Sequence, residues 1–147
     1  MNKNAVWCVG NLINPCEVSG SYDMVTGMTP ANSDGPPPHF HEGYNEVFLI
    51  TEGEMDFVVD GKPFKVGPGE TVDLPKGTLH TFRNSGSTDC KWVNLHSPKG
   101  FRSFFETMGV SVHEENAKEQ SMDGALIGRM LKEAKDFDMH IRLPEPA

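Results

Sequence analysis

The chain has 147 residues and a formal net charge of -8 at pH 7. This length suffices for one well-buried core and is too short for two ordinary domains, so we expect one domain with short appendages. An acidic surface disfavours nucleic acid and anionic membranes as partners and leaves small molecules or proteins. We see no apolar run long enough for a signal peptide or a membrane span, and we therefore predict a cytoplasmic protein.

Three cysteines, Cys8, Cys16 and Cys90, are widely spaced and form no CxxC pair. An odd number without such a pair fits neither a disulfide framework nor a thiolate metal site. We expect reduced, partly buried thiols. The alternative, a reactive thiol, needs a basic setting, for which Lys91 beside Cys90 is the one hint.

Most of the chain up to residue 100 consists of short alternating or apolar runs separated by turn residues. This pattern is typical of a β-sandwich or barrel. The predicted strands are 5–12, 21–29, 46–51, 54–59, 62–66, 70–74, 80–84 and 90–96.

Asp60 and Gly61 separate two of these runs and predict a tight hairpin, because a type I′ turn needs positive φ at both central residues. Side chains alternate along a strand, so Met55, Phe57 and Val59 share one face. We expect that face to belong to the core.

After residue 100 the pattern becomes helical. A short helix is predicted over 101–108, and a second over 123–135, with Asp123 as its N-cap. The second helix carries apolar residues at helical spacing: Leu126, Ile127, Met130, Leu131 and Ala134. The acidic stretch 112–122 between them is predicted to be a surface loop.

A group of metal-ligand side chains lies in the middle of the chain. His39 and His41 are two residues apart, which places both imidazoles on one face of an extended segment. Glu46 adds a carboxylate at the head of the next strand, and three such ligands can occupy one face of an octahedral metal. Further along, a strand and a tight turn lead to His80, which a neighbouring strand can bring to the same ion.

Two sequence patterns contain the candidate ligands. The first is His39-x-His41-x4-Glu46-x6-Gly53. The second is Gly69-x5-Pro75-x-Gly77-x2-His80-x3-Asn84. Together, in this order, they resemble the two motifs that define the cupin superfamily. Ser33 stands where the family usually has a glycine, which affects the expected shape of the entry loop. The proline-rich lead-in to His39, the segment after His96 and the C-terminal helix are similar to single-domain cupins often compared with quercetin dioxygenase.

The resemblance implies an all-β fold, the double-stranded β-helix or jelly-roll barrel, here with short C-terminal helices. We divide the chain into a barrel domain, 1–110, and a loop and C-terminal helix packed on it, 111–147. The resemblance also implies a homodimer. The apolar run 5–12 points the same way, because an unpaired edge strand is a liability unless it is covered.

The resemblance and the ligand types together predict one divalent metal ion per chain, Fe, Mn, Ni, Cu or Zn. Its predicted ligands are His39, His41, Glu46 and His80. Three imidazoles and one carboxylate leave up to two open positions on a six-coordinate ion, enough for a bidentate substrate or for substrate plus dioxygen. Glu46 is then a candidate catalytic base as well as a ligand.

Five further residues are candidates for a substrate pocket: Tyr44, Phe48, Ile50, Phe82 and His96. Phe48, Ile50 and Phe82 share strand parity with the predicted ligands, although ordinary barrel packing accounts for this equally well. Tyr44 lies just before the carboxylate ligand, at the expected mouth. Alternation leaves two orientations open for His96, into the barrel or outward.

The sequence therefore predicts a metal-dependent cupin that acts on a small organic molecule. A dioxygenase-type oxidoreductase is favoured. Two alternatives stay open, a non-catalytic binding or sensing module and an isomerase of a sugar or enediol, because barrels of this type host all three.

Overall fold

A computed structural model describes residues 2–143 as two antiparallel β-sheets accompanied by short helices. The strands are β1 (Val6–Cys8), β2 (Asn11–Cys16), β3 (Asp23–Thr29), β4 (Ser33–Asp34), β5 (His39–Phe40), β6 (Asn45–Glu52), β7 (Met55–Val59), β8 (Lys62–Val66), β9 (Thr71–Leu74), β10 (His80–Asn84), β11 (Cys90–Ser97), β12 (Val110–Ser111) and β13 (His140–Ile141). The helices are α1 (Arg102–Met108), α2 (Ala117–Gln120) and α3 (Gly124–Glu133), and a 3-10 helix spans Ala134–Phe137. The predicted all-β jelly-roll barrel with short C-terminal helices is confirmed.

The order of strands in the sheets determines which residues meet. The first sheet has the order β12-β1-β2-β3-β11-β6-β9, and the second has the order β13-β5-β10-β7-β8, with β4 also paired to β10. The C-terminal segment thus adds β12 to one sheet and β13 to the other. The division of the chain at residue 110 stays a prediction.

Aromatic side chains between the two sheets form the centre of the core. Phe48 contacts Phe57, Phe82 and Trp92 at ring-centroid distances of 5.2, 5.5 and 5.2 Å and interplanar angles of 65°, 66° and 67°. Such edge-to-face pairs contribute about 0.5–1.5 kcal/mol each beyond their buried area. Trp92 fits because Gly27 lies opposite it on β3, where a Cβ would come within 2.2 Å of the indole ring.

The predicted hairpin at Asp60 and Gly61 is confirmed. Both residues have positive φ, 48° and 83°, and they connect β7 to β8. Met55 and Phe57 are fully buried and Val59 is half-buried, as the predicted core face requires.

The predicted single strand 5–12 is wrong, because β1 and β2 form a hairpin there. Val9 and Gly10 make the turn with φ values of 49° and 74°. A β-branched residue rarely adopts positive φ, so the sequence carried no ordinary turn signal. Tertiary bonds hold the turn instead: the side-chain amide of Asn11 donates to the Val9 carbonyl at 2.9 Å, and Gly10 N–H donates to the Ser121 hydroxyl at 2.9 Å.

The strand β1 is not an exposed edge, since it pairs with β12 on one side and β2 on the other. The edge-strand argument for a homodimer therefore does not hold. The homodimer itself stays a prediction, which multi-angle light scattering tests.

The C-terminal helices are close to their predicted positions. Helix α3 begins after Asp123, whose carboxylate accepts a hydrogen bond from Ala125 N–H at 3.1 Å. Met130 and Ala134 are buried, whereas Leu131 is 41% exposed and lies on the outer face of the helix. The predicted loop 112–122 is partly wrong, because it contains the short helix α2.

All three cysteines are free, and Cys8 and Cys90 are buried. Burial raises the pKa of Cys8 to about 12 and that of Cys90 to about 11, so both thiols are protonated at neutral pH. Among the described residues, no helix has the length and apolar character needed to cross a bilayer. The cytoplasmic location stays a prediction.

Candidate metal centre

The register of the strands brings the four predicted ligands together. His39 pairs directly with His80 across β5 and β10, and Glu46 lies at the start of β6 in the opposite sheet. All four side chains are buried, and one ligand atom from each lies within 4.8 Å of the others. Glu46 Oε1 is 3.1 Å from His80 Nε2 and 3.4 Å from His41 Nε2.

Backbone carbonyls fix the orientation of the three imidazoles. The Nδ1–H groups of His39, His41 and His80 donate to the carbonyls of residues 37, 138 and 78 at 3.0, 2.7 and 2.9 Å. A carbonyl can only accept, so each Nδ1 carries the proton and each Nε2 keeps a lone pair. This is the arrangement in which histidines bind metals through Nε2.

The buried ligand atoms fit a divalent cation. His41 Nε2, His80 Nε2 and Glu46 Oε1 have no hydrogen-bond partner within the described chain. Buried polar atoms without partners are rare in folded proteins, and here they point at one another. Three nitrogen donors and one carboxylate oxygen are a suitable set for a first-row transition metal.

The electrostatics keep Glu46 ionised. Burial alone would raise its pKa, but the attraction of His96 and the close approach of His41 and His80 hold the pKa well below its usual range. Burial and the neighbouring His80 lower the pKa of His39 to about 3, so His39 is neutral. Burial opposes protonation of His80 too, but the negative charge of the nearby Glu46 carboxylate raises its pKa.

Two residues of β11 hold the outer oxygen of the Glu46 carboxylate. Asn94 Nδ2 donates to Glu46 Oε2 at 2.7 Å, and His96 Nε2 lies 3.3 Å from the same oxygen. His96 points into the barrel and stacks on Phe101, with ring centroids 4.3 Å apart. Glu46 therefore directs Oε1 towards the candidate histidine ligands, while Asn94 and His96 hold Oε2. Sequence reasoning did not single out Asn94, although its shared strand parity with His96 was a usable signal.

The C-terminal segment supports the same site. Asp138 supplies the carbonyl that orients His41, and its carboxylate accepts from the N–H groups of Glu42 and Gly43 at 3.0 and 2.7 Å. His140 Nε2 also lies 2.9 Å from this carboxylate. Glu42, Asp138 and His140 therefore form an outer cluster whose hydrogen bonds connect the C-terminal segment to the loop after His41. We assign this cluster a structural role. No sequence signal pointed to Asp138.

A cavity of about 60 Å³ lies beside the candidate ligands. Its lining includes His39, Glu46 and His80 and is otherwise mostly apolar. Of the five predicted pocket residues, Phe48 and Phe82 line this cavity. Ile50 is fully buried in the core, away from the lining.

Tyr44 and His96 lie next to the site without lining the cavity. The Tyr44 ring is 5.9 Å from His41 and 6.0 Å from His96, edge-on to both. Burial and the charges of Asp138 and Asp23 raise the pKa of Tyr44, so its hydroxyl is protonated at neutral pH.

Comparisons with known proteins agree with the fold and the motifs. A family model described as a Cupin domain matches residues 27–96, the region that contains all four candidate ligands. Quercetin 2,3-dioxygenase from Bacillus subtilis (strain 168) is 34% identical over 83 residues, covering 53% of this chain. The match spans about a quarter of that relative, 24% of its length.

Two solved structures share the fold at low sequence identity. KdgF from Halomonas sp. has a TM-score of 0.57 and 20% identity, with 61% of this chain and 80% of that chain covered. A sugar phosphate isomerase of the cupin superfamily from Silicibacter pomeroyi has a TM-score of 0.57 and 18% identity, with 62% of this chain and 61% of that chain covered. Residues 27–96 thus match the cupin domain family, and the described residues have the fold of a cupin barrel.

Proposed function

We propose that this chain is a metal-dependent cupin that acts on a small organic molecule as a dioxygenase-type oxidoreductase. The observation that carries the proposal is the group of buried, unpartnered ligand atoms beside a small and mostly apolar cavity. A divalent Fe, Mn, Ni, Cu or Zn ion held by the four candidate ligands would supply Lewis-acid polarisation of a substrate oxygen and, for redox-active metals, electron exchange with dioxygen.

The side chains around the site favour a substrate with an acidic hydroxyl. Glu46 is the candidate base, and a carboxylate is a weak base. Proton transfer is efficient when donor and acceptor are matched, so a weak carboxylate base suits an enol or a comparably acidic hydroxyl. Asn94 and His96 keep the carboxylate oriented during that transfer, and the apolar lining excludes water from it.

The isomerase alternative is less well supported by the cavity. A phosphorylated sugar needs basic groups to pair with its phosphate and polar groups for its hydroxyls. Within residues 2–143, no lysine or arginine lines the cavity. The Bacillus subtilis relative, named as a dioxygenase, points the same way as the apolar lining.

Replacing Glu46 with glutamine tests the proposed function. Glutamine keeps the shape and an oxygen ligand but removes the charge and nearly all the basicity. We expect turnover to fall on the order of a hundredfold or more, while the histidines retain much of the metal. The assay is oxygen uptake on the metal-loaded protein, with elemental analysis of the same preparations. The substrate screen increases in size from short-chain diketones through catechols to flavonols.

Glu52→Gln is the matched control, because Glu52 lies at the far end of the same strand, exposed and paired with Lys91 at 3.0 Å. Its turnover and metal content should match those of the parent. Parent-level turnover by Glu46→Gln at full metal occupancy would exclude the base role. If the loaded parent turns over none of the substrates, the non-catalytic binding function becomes the better conclusion.

A further inference from the structure

The cavity beside the candidate ligands has two different walls. The barrel contributes tightly packed rings, among them Phe48, Phe82 and Trp92. Another part of the lining comes from α1 and from the segment that follows it. We call it the C-terminal wall, and it consists of Phe104, Phe105, Met130 and Met139.

The C-terminal wall is attached directly to the strand that carries the first ligand. Strand β13 pairs with β5, so that Ile141 lies opposite His39. Arg142 N–H donates to the Pro38 carbonyl at 2.8 Å. Met139 lies between this pairing and the 3-10 helix, and its N–H donates to Ala134 at 3.1 Å. The wall and the ligands therefore occupy fixed positions relative to each other.

The volume enclosed between the walls limits what can bind. The cavity measures about 60 Å³. An apolar cavity of about 150 Å³ is large enough to hold benzene, and pockets for drug-sized ligands measure about 300–1,000 Å³. With the C-terminal wall in place, the site admits a molecule of only a few non-hydrogen atoms next to the metal.

We infer that the C-terminal wall determines substrate specificity by size, and that it restricts the site to small molecules with a polar metal-binding end and a short apolar body. The inference rests on the proposed function, since it takes this cavity to be the substrate site. Met130 and Met139 are the adjustable part of the wall. Both are buried, and both are unbranched side chains outside the cluster of rings that Phe48 forms with its aromatic neighbours.

The test compares two probes with the same metal-binding group, acetohydroxamate and the larger benzohydroxamate, on zinc-loaded protein by calorimetry. The parent should bind acetohydroxamate at least tenfold more tightly than benzohydroxamate. Met130→Ala and Met139→Ala should each shift this ratio about tenfold or more towards benzohydroxamate, because a single methylene in a closed pocket already changes selectivity by about this factor. Leu131→Ala, one residue further on the exposed face of α3, should keep the parent ratio.

A second readout needs no metal. The chain has two tryptophans, and Trp92 lines the cavity. Replacing Trp7 with phenylalanine leaves Trp92 as the only tryptophan of the sequence, so that its fluorescence reports toluene binding to the metal-free protein. Toluene should bind the truncated variants at least tenfold more tightly than the parent. Melting curves identify any variant that fails to fold, and Met130→Val is a milder replacement at the same position.

The inference is overturned if the folded Met130 and Met139 variants have the same hydroxamate selectivity and the same toluene affinity as the parent. It is also overturned if no variant binds any of the probes. These outcomes are independent of turnover. A protein that shows the size effect but no oxygen uptake contradicts the proposed function alone, and one with oxygen uptake but no size effect contradicts this inference alone.

Discussion

Asn94 holds the carboxylate of Glu46 in place, and replacing Asn94 with leucine removes that contact while keeping the number and branching of the non-hydrogen side-chain atoms. The bond from Asn94 Nδ2 to Glu46 Oε2 measures 2.7 Å, and both side chains are buried. Leucine offers no donor, so Oε2 keeps only the approach of His96 Nε2 at 3.3 Å. We expect the Asn94→Leu variant to be less stable without metal and to bind metal more weakly.

The magnitude follows from the kind of bond that is lost. A hydrogen bond to a charged group contributes about 1.5–3 kcal/mol to the free energy of unfolding. For a chain of this length each kcal/mol shifts Tm by about 2–4 °C, so the Tm of the metal-free variant should fall by roughly 3–12 °C. Loss of a hydrogen bond that orients a ligand typically lowers metal affinity about 10–100-fold, and we expect a value in this range.

A double-mutant cycle with Glu46→Gln separates the charge-dependent contact from loss of packing. In the Glu46→Gln background, Asn94→Leu should lower the free energy of unfolding by at least about 1 kcal/mol less than in the parent, because the charge that the amide stabilises is gone. Asn14→Leu is the control: it removes a neutral bond to Thr26 at 3.2 Å on the outer face of β2 and should leave metal affinity unchanged. The reasoning is refuted if the effects of the two substitutions on the free energy of unfolding add within about 0.5 kcal/mol and Asn94→Leu binds metal as tightly as the parent. Asn94 would then not hold Glu46.

Two further predictions concern metal content and acid stability. The double variant His41→Ala, His80→Ala should lose the single bound ion, and elemental analysis that finds full metal content would refute the ligand assignment. Burial would raise the pKa of Asp23, but bonds from Gly100 N–H and the Lys99 ammonium hold it below its ordinary value. Asp23 therefore stabilises the fold above that ordinary value, and the contribution is lost as pH falls through the lowered folded-state pKa. At neutral pH the free energy of unfolding of Asp23→Asn should be lower than that of the parent. Below about pH 4 the variant's free energy of unfolding should fall less steeply with pH than the parent's. Parallel pH curves for the two proteins would contradict this prediction.

The β7–β8 hairpin and the candidate ligands were predictable because their signals are local. Asp60 and Gly61 determine a hairpin through their own backbone preferences, and alternation then assigns the core face of β7. His39, His41, Glu46 and His80 have spacings that the family motifs share, so their convergence could be expected before any contact was known.

The parts that could not be predicted depend on contacts between distant residues. Val9 adopts positive φ because Asn11 and Ser121 hold the turn around it, and valine itself gives no such indication. Asp138 orients His41 through its backbone carbonyl, a group that every residue possesses. The two-residue strands β12 and β13 are too short for a periodic pattern, yet β13 joins the C-terminal segment to His39.

The end of the family match falls between the two parts of the cavity lining. The matched region, residues 27–96, includes all four candidate ligands and ends before Phe104, Met130 and Met139. Membership of that region in the cupin domain family therefore concerns the metal-binding part of the site, whereas the wall that limits the volume to about 60 Å³ lies outside the match. Because binding a given substrate requires space as well as ligands, the substrate of a relative cannot be transferred to this chain through the shared half. The substrate has to be sought among molecules that the C-terminal wall admits.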